Sequence, residues 1–246
     1  MTPVPTPHTV GILAGMGPAA GVDFARLFVA ACEDWLRGHG QAVLDQAYPA
    51  HWMAQLPIAD RTRALADPRA PQPLEAMLRG LAQLAGLGAR AVAMPCNTAH
   101  AWHAALQERL PQVELLHMPR ETAAALRAQG LTRVALLATE GSYRIGLYAQ
   151  AFADQGIECV LPEAHERQWL MQGIYDGVKA GKLVLAQERF VAVGQALRAR
   201  HGDIALAMAC TEIPLALPQA PEARGWTLID PAAILAAALA RRAYGA

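Results

Sequence analysis

The sequence predicts an α/β fold made of two similar lobes, each a mainly parallel sheet flanked by helices. Apolar runs of strand length alternate with helical patterns along the chain, an order typical of parallel α/β proteins. Two such runs resemble each other and end in Cys96 and Cys210. A second pair of similar segments, residues 10–17 and 134–141, opens the two halves. The repeats predict lobes related by a pseudo-twofold axis, with the active site in the cleft between them.

The first lobe is predicted to span residues 8–117. A strand and a glycine turn open it, and a helix over 18–36 follows because Pro18 suits a first helical position. Residues 45–73 carry five prolines and no clear period, which predicts a long functional loop. Apolar residues at spacings of three and four predict another helix from Leu74, ending at the glycines before the first cysteine strand.

The second lobe is predicted to span residues 118–229 and to repeat this order. A helix containing Phe190 and Leu197 precedes the second cysteine strand and is expected to end at Gly202. Asp230 and Pro231 then predict the start of an alanine-rich helix over 230–244. Whether that last helix packs back on the first lobe is left open by the sequence.

Composition restricts the classes of function. The chain has 246 residues, of which 54% are hydrophobic and 17% charged, as in globular proteins. Its 21 basic and 21 acidic residues give zero formal net charge, so no nucleic-acid or anionic membrane partner is expected. Residues 1–8 lack the features of a signal peptide and are expected to form a loose extension. Four cysteines in a chain of this length favour a reducing cytoplasm, so a cytoplasmic protein is predicted.

Cys96 and Cys210 are the candidate catalytic residues. Ligands of open α/β sheets bind outside the carboxyl ends of the strands, where both thiols are predicted to lie. Free cysteines usually fill cores, and Cys32 and Cys159 fit that role within apolar patterns. Cys96 and Cys210 differ because polar residues follow them directly. These residues are Asn97, Thr98, Thr211 and Glu212.

The first glycine turn allows a competing hypothesis. Residues 15–20 satisfy the G-x-G-x-x-A pattern of dinucleotide-binding folds, and Asp45 is a candidate ribose ligand. Such a site depends on main-chain N–H groups at the helix start, and Pro18 removes one of them. We therefore rank a nicotinamide-dependent oxidoreductase lower and interpret the turn as a place where the main chain approaches a small substrate.

Five motifs occur in the order found in one enzyme family. They are residues 11–18 (GILAGMGP), 58–62 (IADRT), 94–100 (MPCNTAH), 173–181 (GIYDGVKAG) and 210–212 (CTE). On these motifs the chain resembles the aspartate/glutamate racemase family over nearly its whole length, most closely the aspartate racemase branch. The glutamate racemase branch is less similar, because it carries an acidic residue where this chain has Met16 and a histidine where it has Glu212.

The resemblance implies racemisation of a small amino acid without pyridoxal phosphate, any other cofactor or a metal, by a homodimer. One cysteine thiolate removes the α-hydrogen and the other cysteine returns a proton to the opposite face. By resemblance, Cys210 faces the hydrogen of the L-enantiomer and Cys96 that of the D-enantiomer. One thiol must then have a lowered pKa, for which a helix N-terminus after the strand is the expected cause.

Cations are needed to hold the substrate's carboxylates. Lysine occurs only at Lys179 and Lys182, whereas arginine supplies the other basic residues, so a compact ammonium is expected to matter at Lys179. By resemblance, Arg61 and Lys179 hold the two carboxylates. The full predicted set of substrate-binding residues is Arg61, Lys179, Asn97, Thr98, Thr139, Ser142, Met16, Gly17, Thr211 and Glu212.

Departures from the family pattern leave the substrate open. Ala14 stands where a glycine is expected, Gly21 where a threonine is expected, and residues 54–57 lack an Asn-x-Pro pattern. Aspartate is the leading substrate, and a broad-specificity amino-acid racemase is the alternative. A non-catalytic binder of small acids is a third class. His100 and His103 are interpreted as groups on a helix surface, since no third metal ligand lies near them in sequence.

Overall fold

The computed structural model describes residues 6–245, which form two compact units. One unit comprises the described residues up to Glu121 together with those from Ala232 onward, and the other spans Thr122–Pro231. Most of the predicted N-terminal extension, residues 1–5, lies outside the described residues, whereas the main-chain N–H of His8 donates to Ala243. None of the described helices combines the length and hydropathy needed to cross a bilayer.

The first half of the chain forms a four-stranded sheet whose paired strands are all parallel. Its strands are short and lie between helices. The elements up to residue 128 are β1 (Val10–Ala14), α1 (Pro18–Gly38), β2 (His51–Gln55), α2 (Arg61–Ala66), α3 (Leu74–Gly86), β3 (Ala91–Ala93), α4 (His103–Arg109), β4 (Glu114–Leu115) and α5 (Met118–Ala128).

The second half forms another parallel four-stranded sheet. Its elements are β5 (Arg133–Ala138), α6 (Glu140–Ile145), α7 (Leu147–Ala153), β6 (Glu158–Val160), α8 (Ala164–Gln172), α9 (Leu183–His201), β7 (Ala205–Ala209), β8 (Leu228–Ile229) and α10 (Pro231–Tyr244). A π-helical turn, Gly173–Gly177, and a 3₁₀ turn, Val178–Ala180, connect α8 to α9.

The two sheets have the same strand order, β2-β1-β3-β4 in one and β6-β5-β7-β8 in the other. In each sheet the opening strand pairs with the strand that precedes a cysteine, β1 with β3 and β5 with β7. These four strands are buried throughout, apart from the exposed Arg133 at the start of β5, as expected for parallel strands covered by helices. The predicted fold class of two similar parallel α/β halves is therefore confirmed.

The predicted helices are present, and their ends follow the local signals. α1 begins at Pro18 and α9 ends before Gly202, as the sequence indicates. The prediction of a long loop over residues 45–73 is wrong in its extent, because β2 and α2 lie within this range. β2 is an edge strand with mostly exposed side chains, so it shows no alternation of buried and exposed apolar residues.

Close packing explains the small residues around the first turn. Gly15 has φ +97°, and a Cβ there would lie 2.0 Å from the carbonyl oxygen of Leu56. The main chain at Gly15 thus approaches the segment after β2, which explains the glycine at this position, while the approach of the turn to a substrate stays a prediction. At Gly21 a Cβ would lie 2.7 Å from the Cβ of Ala14. The two departures from the family pattern therefore compensate each other sterically.

The last helix, α10, belongs to the core of the first unit. Leu235, Leu239 and Tyr244 of α10 are buried in one cluster with Ile12 and Phe24. The Tyr244 ring also stacks on Trp35 of α1, with 4.0 Å between ring centroids. Residues of α10 therefore belong to the same hydrophobic core as residues of β1 and α1.

Candidate active site

Cys96 lies just past the carboxyl end of β3, where the sequence predicts it. Its side chain is 6% exposed, and it belongs to a buried cluster that includes Met16 and Met94. The main-chain N–H of Cys96 donates to the Met94 carbonyl at 2.8 Å. Asn97 and Thr98 are buried beside it.

A 3₁₀ turn follows each cysteine, and the turn after Cys96 continues directly into α4. Thr98–Trp102 follows Cys96, and Ile213–Leu215 follows Cys210. Neither Asn97 nor Glu212 makes a side-chain cap to its turn. The α-helix expected directly after each cysteine is therefore absent, and after Cys96 the helix α4 begins only at His103. After Cys210, prolines at 214, 218 and 221 keep the chain in short turns.

Arg61 fixes the first glycine turn to the segment that precedes α2. The guanidinium is 8% exposed. Its Nη2 donates to the Met16 carbonyl at 2.5 Å, and its Nη1 donates to the carbonyls of Ile58 and Ala59 at 3.1 and 2.9 Å. Arg61, which is predicted to bind a substrate carboxylate, therefore also stabilises the turn that contains Met16 and Gly17.

We expect Arg61→Ala to lower the free energy of unfolding by about 2–4 kcal/mol, because two buried carbonyls and one partly buried carbonyl lose a charged donor. Arg61→Lys should lower it by less, since an ammonium keeps the charge but lacks the planar fork. Urea denaturation followed by circular dichroism measures both changes. An Arg61→Ala variant within about 0.5 kcal/mol of the parent would contradict this role.

Cys210 lies directly after β7 and contacts a carboxylate. Its Sγ–H donates to Oε2 of Glu212 at 3.0 Å, and Lys179 Nζ lies 2.8 Å from Oε1 of the same side chain. The hydroxyl of Thr211 also donates to Oε2, at 3.4 Å. Glu212 is 5% exposed. One buried carboxylate therefore joins the thiol and the ammonium into a single network.

This environment stabilises the protonated form of Cys210. Burial raises the pKa of the Cys210 thiol well above its usual value, and the negative charge of Glu212 raises it further. Lys179 acts in the opposite direction, as a smaller influence on the same pKa. Burial and the Glu212 carboxylate therefore both favour the thiol form of Cys210 over the thiolate.

Two close contacts between the π-helical turn and α9 position the segment that carries Lys179. In the π-helical turn, a Cβ at Gly173 would lie 2.4 Å from the Phe190 ring, and one at Gly177 would lie 2.8 Å from the Cβ of Ala186. Both glycines therefore let the turn pack tightly on α9. Such π turns are frequent at functional sites. The Lys179 ammonium also lies 5.6 Å from the centroid of the Tyr175 ring.

The remaining predicted substrate residues have structural contacts of their own. Thr139 caps α6, accepting from the Ser142 N–H at 3.3 Å, and the two hydroxyl oxygens lie 3.1 Å apart. Both side chains are buried at the carboxyl end of β5. Gly17 is the residue before the first turn of α1. Their positions agree with contact to a ligand at the strand ends, and their roles remain predictions.

His100 is buried and not on a helix surface, whereas His103 is partly buried at the start of α4. Burial lowers the pKa of His100 to about 4 and also lowers the pKa of His103. The ring of His117 lies 5.3 Å from that of His100 and 4.7 Å from that of His103. Sequence spacing could not indicate His117, because β4 brings it back from a later segment. Among residues 6–245 no group of three His, Cys, Asp or Glu side chains has the geometry to hold a metal ion.

The other features weighed in the sequence lie elsewhere. Burial raises the pKa of Cys32 to about 12 and that of Cys159 to about 11. Asp45 lies in a 3₁₀ turn before β2, and not at the carboxyl end of that strand where a ribose ligand would be needed. Pro18 occupies the first position of α1, so one N–H of a phosphate site is missing.

Comparison with known proteins agrees with the fold. A family model described as Asp/Glu/hydantoin racemase matches residues 13–239. This chain belongs to that family. At the level of the family, the protein is a racemase, which is one type of isomerase.

Several individual relatives are similar over most of the chain. The aspartate racemase of Picrophilus torridus superimposes with a TM-score of 0.80 and 29% identity, over 97% of this chain and 94% of that one. The broad specificity amino-acid racemase RacX of Bacillus subtilis is 28% identical over 210 residues, which is 83% of this chain and 85% of RacX. Glutamate racemase of Francisella tularensis shares the fold, with a TM-score of 0.62 and 15% identity, over 95% of this chain and 80% of that one.

Proposed function

We propose that this racemase interconverts L- and D-aspartate by a two-base mechanism in which Cys96 and Cys210 exchange protons with the α-carbon. The observation that carries the proposal is the repeated placement of a buried cysteine after equivalent strands, β3 and β7, of two sheets with the same strand order. Strand ends of this kind are where α/β proteins bind their ligands.

In the proposed step, the thiolate of one cysteine takes the α-proton and the thiol of the other gives a proton to the opposite face. The C–H electron pair passes to the α-carbon and is delocalised into the α-carboxyl group, then forms the new C–H bond. The thiolate and thiol exchange states in each turnover. Because the α-hydrogen is a weak acid, positioning and fixed charges must lower most of the barrier.

The network at Cys210 supports the role of proton donor in the free enzyme. Its Sγ–H contacts Glu212, which disfavours the thiolate. In the reverse direction Cys210 must act as the base. A substrate that draws Lys179 toward Cys210, or away from Glu212, changes the charge balance that sets this state. In this mechanism Glu212 controls whether Cys210 carries its proton.

Lys179 is the proposed ligand of a substrate carboxylate. Its ammonium is 30% exposed, so it remains accessible while it pairs with Glu212. Arg61 is the second proposed ligand, and binding would require its guanidinium to engage a carboxylate beside or in place of its carbonyl partners. Two cations suit a dicarboxylic substrate such as aspartate.

Two relatives support different substrate ranges. The Picrophilus protein is an aspartate racemase, whereas RacX is a broad specificity amino-acid racemase, and their identities to this chain are 29% and 28%. We therefore propose aspartate as the leading substrate, with broad specificity as the second candidate. Initial rates on aspartate, glutamate, alanine and lysine distinguish them.

Racemisation is expected without added cofactor. Purified protein incubated with L-aspartate should yield D-aspartate in chiral chromatography, at a rate that hydroxylamine and chelators leave unchanged. Iodoacetamide should abolish the activity, because the proposed bases are thiols. Inhibition by a chelator that is reversed by added metal would contradict the thiol-only mechanism, and activity confined to neutral amino acids would contradict aspartate.

A further inference from the structure

His100 joins the loop that carries Cys96 to the start of α5. Its imidazole is 2% exposed. The Nδ1 atom lies 3.0 Å from the carbonyl oxygen of Cys96, and the main-chain nitrogen of Met118 lies 3.0 Å from Nε2. The ring therefore bridges two main-chain groups that are far apart in sequence.

The two contacts define the tautomer of His100. A main-chain N–H can only donate, so Nε2 must present its lone pair to Met118. The hydrogen is then on Nδ1, which donates to the Cys96 carbonyl. A second proton on Nε2 would point at the Met118 N–H. Burial, which lowers the pKa of His100 to about 4, agrees with a neutral ring.

Two further imidazoles lie beside the ring of His100. The ring of His117 meets it edge to face at 5.3 Å between centroids, and the ring of His103 lies 6.0 Å away on another side. Each neighbour has its own main-chain partner. His103 Nε2 lies 2.7 Å from the Leu115 carbonyl oxygen, and His117 Nδ1 accepts from the Arg120 N–H at 3.3 Å.

We infer that His100 is the positioning residue of Cys96, an assignment that rests on the proposed function. The Cys96 carbonyl accepts from His100 and also from the Ala99 N–H at 3.2 Å, while the Cys96 N–H donates to Met94. With its main chain held on both sides, Cys96 retains mainly rotation about χ1. His100 thus determines where the thiol is placed, and proton transfer is sensitive to displacements of about 1 Å.

The test compares substitutions that keep or remove the bridge. His100→Gln keeps one donor and one acceptor, whereas His100→Leu removes both. His103→Leu is the matched control, because it removes a partly buried imidazole of the same cluster, one that contacts Leu115 and not Cys96. Each protein is assayed for kcat and KM, and for the rate at which iodoacetamide labels Cys96 relative to Cys210, measured by peptide mass spectrometry.

His100→Leu is expected to lower kcat at least about tenfold with KM changed less than about threefold, and to shift the ratio of Cys96 to Cys210 labelling at least about threefold. His100→Gln should recover most of both quantities, and His103→Leu should leave both near the parent values. If His100→Leu does not fold, His100→Phe replaces it, since its ring keeps the planar shape but has neither a donor for Cys96 nor an acceptor for Met118.

The inference is overturned if the variant without the bridge keeps the parent kcat and labelling ratio, or if His103→Leu changes both equally. A purely structural role would lower the unfolding midpoint and leave those two quantities alone. The labelling ratio needs no substrate. A parent protein that racemises none of the amino acids therefore refutes the proposed function, while the ratio still decides whether His100 positions Cys96.

Discussion

Replacing either Cys96 or Cys210 with alanine should lower the rate of aspartate racemisation by about 10³-fold or more, because inversion needs both a proton acceptor and a proton donor. The loss should be the same in both directions of the reaction. Chiral chromatography of the aspartate formed from each pure enantiomer measures it. Folding should be preserved, since each thiol is a small side chain at a strand end.

Cys159→Ala is the matched control for these two substitutions. Cys159 is a partly buried cysteine on β6 and has no part in the proposed mechanism. Its replacement should leave the rate within about twofold of the parent. If Cys96→Ala or Cys210→Ala retains more than about a tenth of the parent rate, two thiols are not the bases.

Glu212→Gln should lower kcat/KM on aspartate by about 10²-fold and make Cys210 react at lower pH. The carboxylate charge is the second cause, after burial, that raises the pKa of Cys210. Glutamine is nearly isosteric but uncharged, so the thiolate forms more readily once it replaces Glu212. The pH profile of Cys210 labelling by iodoacetamide should therefore move toward lower pH.

Glu222→Gln provides the control, because Glu222 is an exposed carboxylate in the same unit. It should change neither kcat/KM nor the labelling profile. A Glu212→Gln variant whose Cys210 labelling keeps the parent pH profile would show that Glu212 does not govern the proton on this thiol. A profile displaced toward higher pH would contradict the direction of the effect.

Local signals account for what the sequence predicts correctly. The helix that starts at Pro18 and the one that ends before Gly202 depend on main-chain preferences that act over a few residues. The strands before Cys96 and Cys210 are continuous apolar runs because parallel strands are buried on both faces. β2 is not predicted because an exposed edge strand lacks a continuous run of buried apolar residues.

The networks around the cysteines depend on tertiary contacts that no local pattern contains. Lys179 meets Glu212 only because the π-helical turn packs on α9 through its two glycines. The bridge from Cys96 through His100 to Met118 requires β4 and the start of α5 to return beside the cysteine loop. Gly173 and Gly177 stand four residues apart in the motif over residues 173–181, and this spacing of glycines is the sequence signal for a closely packed turn beside Lys179.

The most direct test of the two-base mechanism is proton NMR of aspartate in heavy water with the two single-cysteine variants. Cys96→Ala retains Cys210 and should exchange the α-hydrogen of L-aspartate for deuterium without inversion. Cys210→Ala retains Cys96 and should exchange that of D-aspartate. Opposite enantiomer preferences are the predicted result. Exchange of the same enantiomer by both variants, or racemisation by either one, would contradict the mechanism.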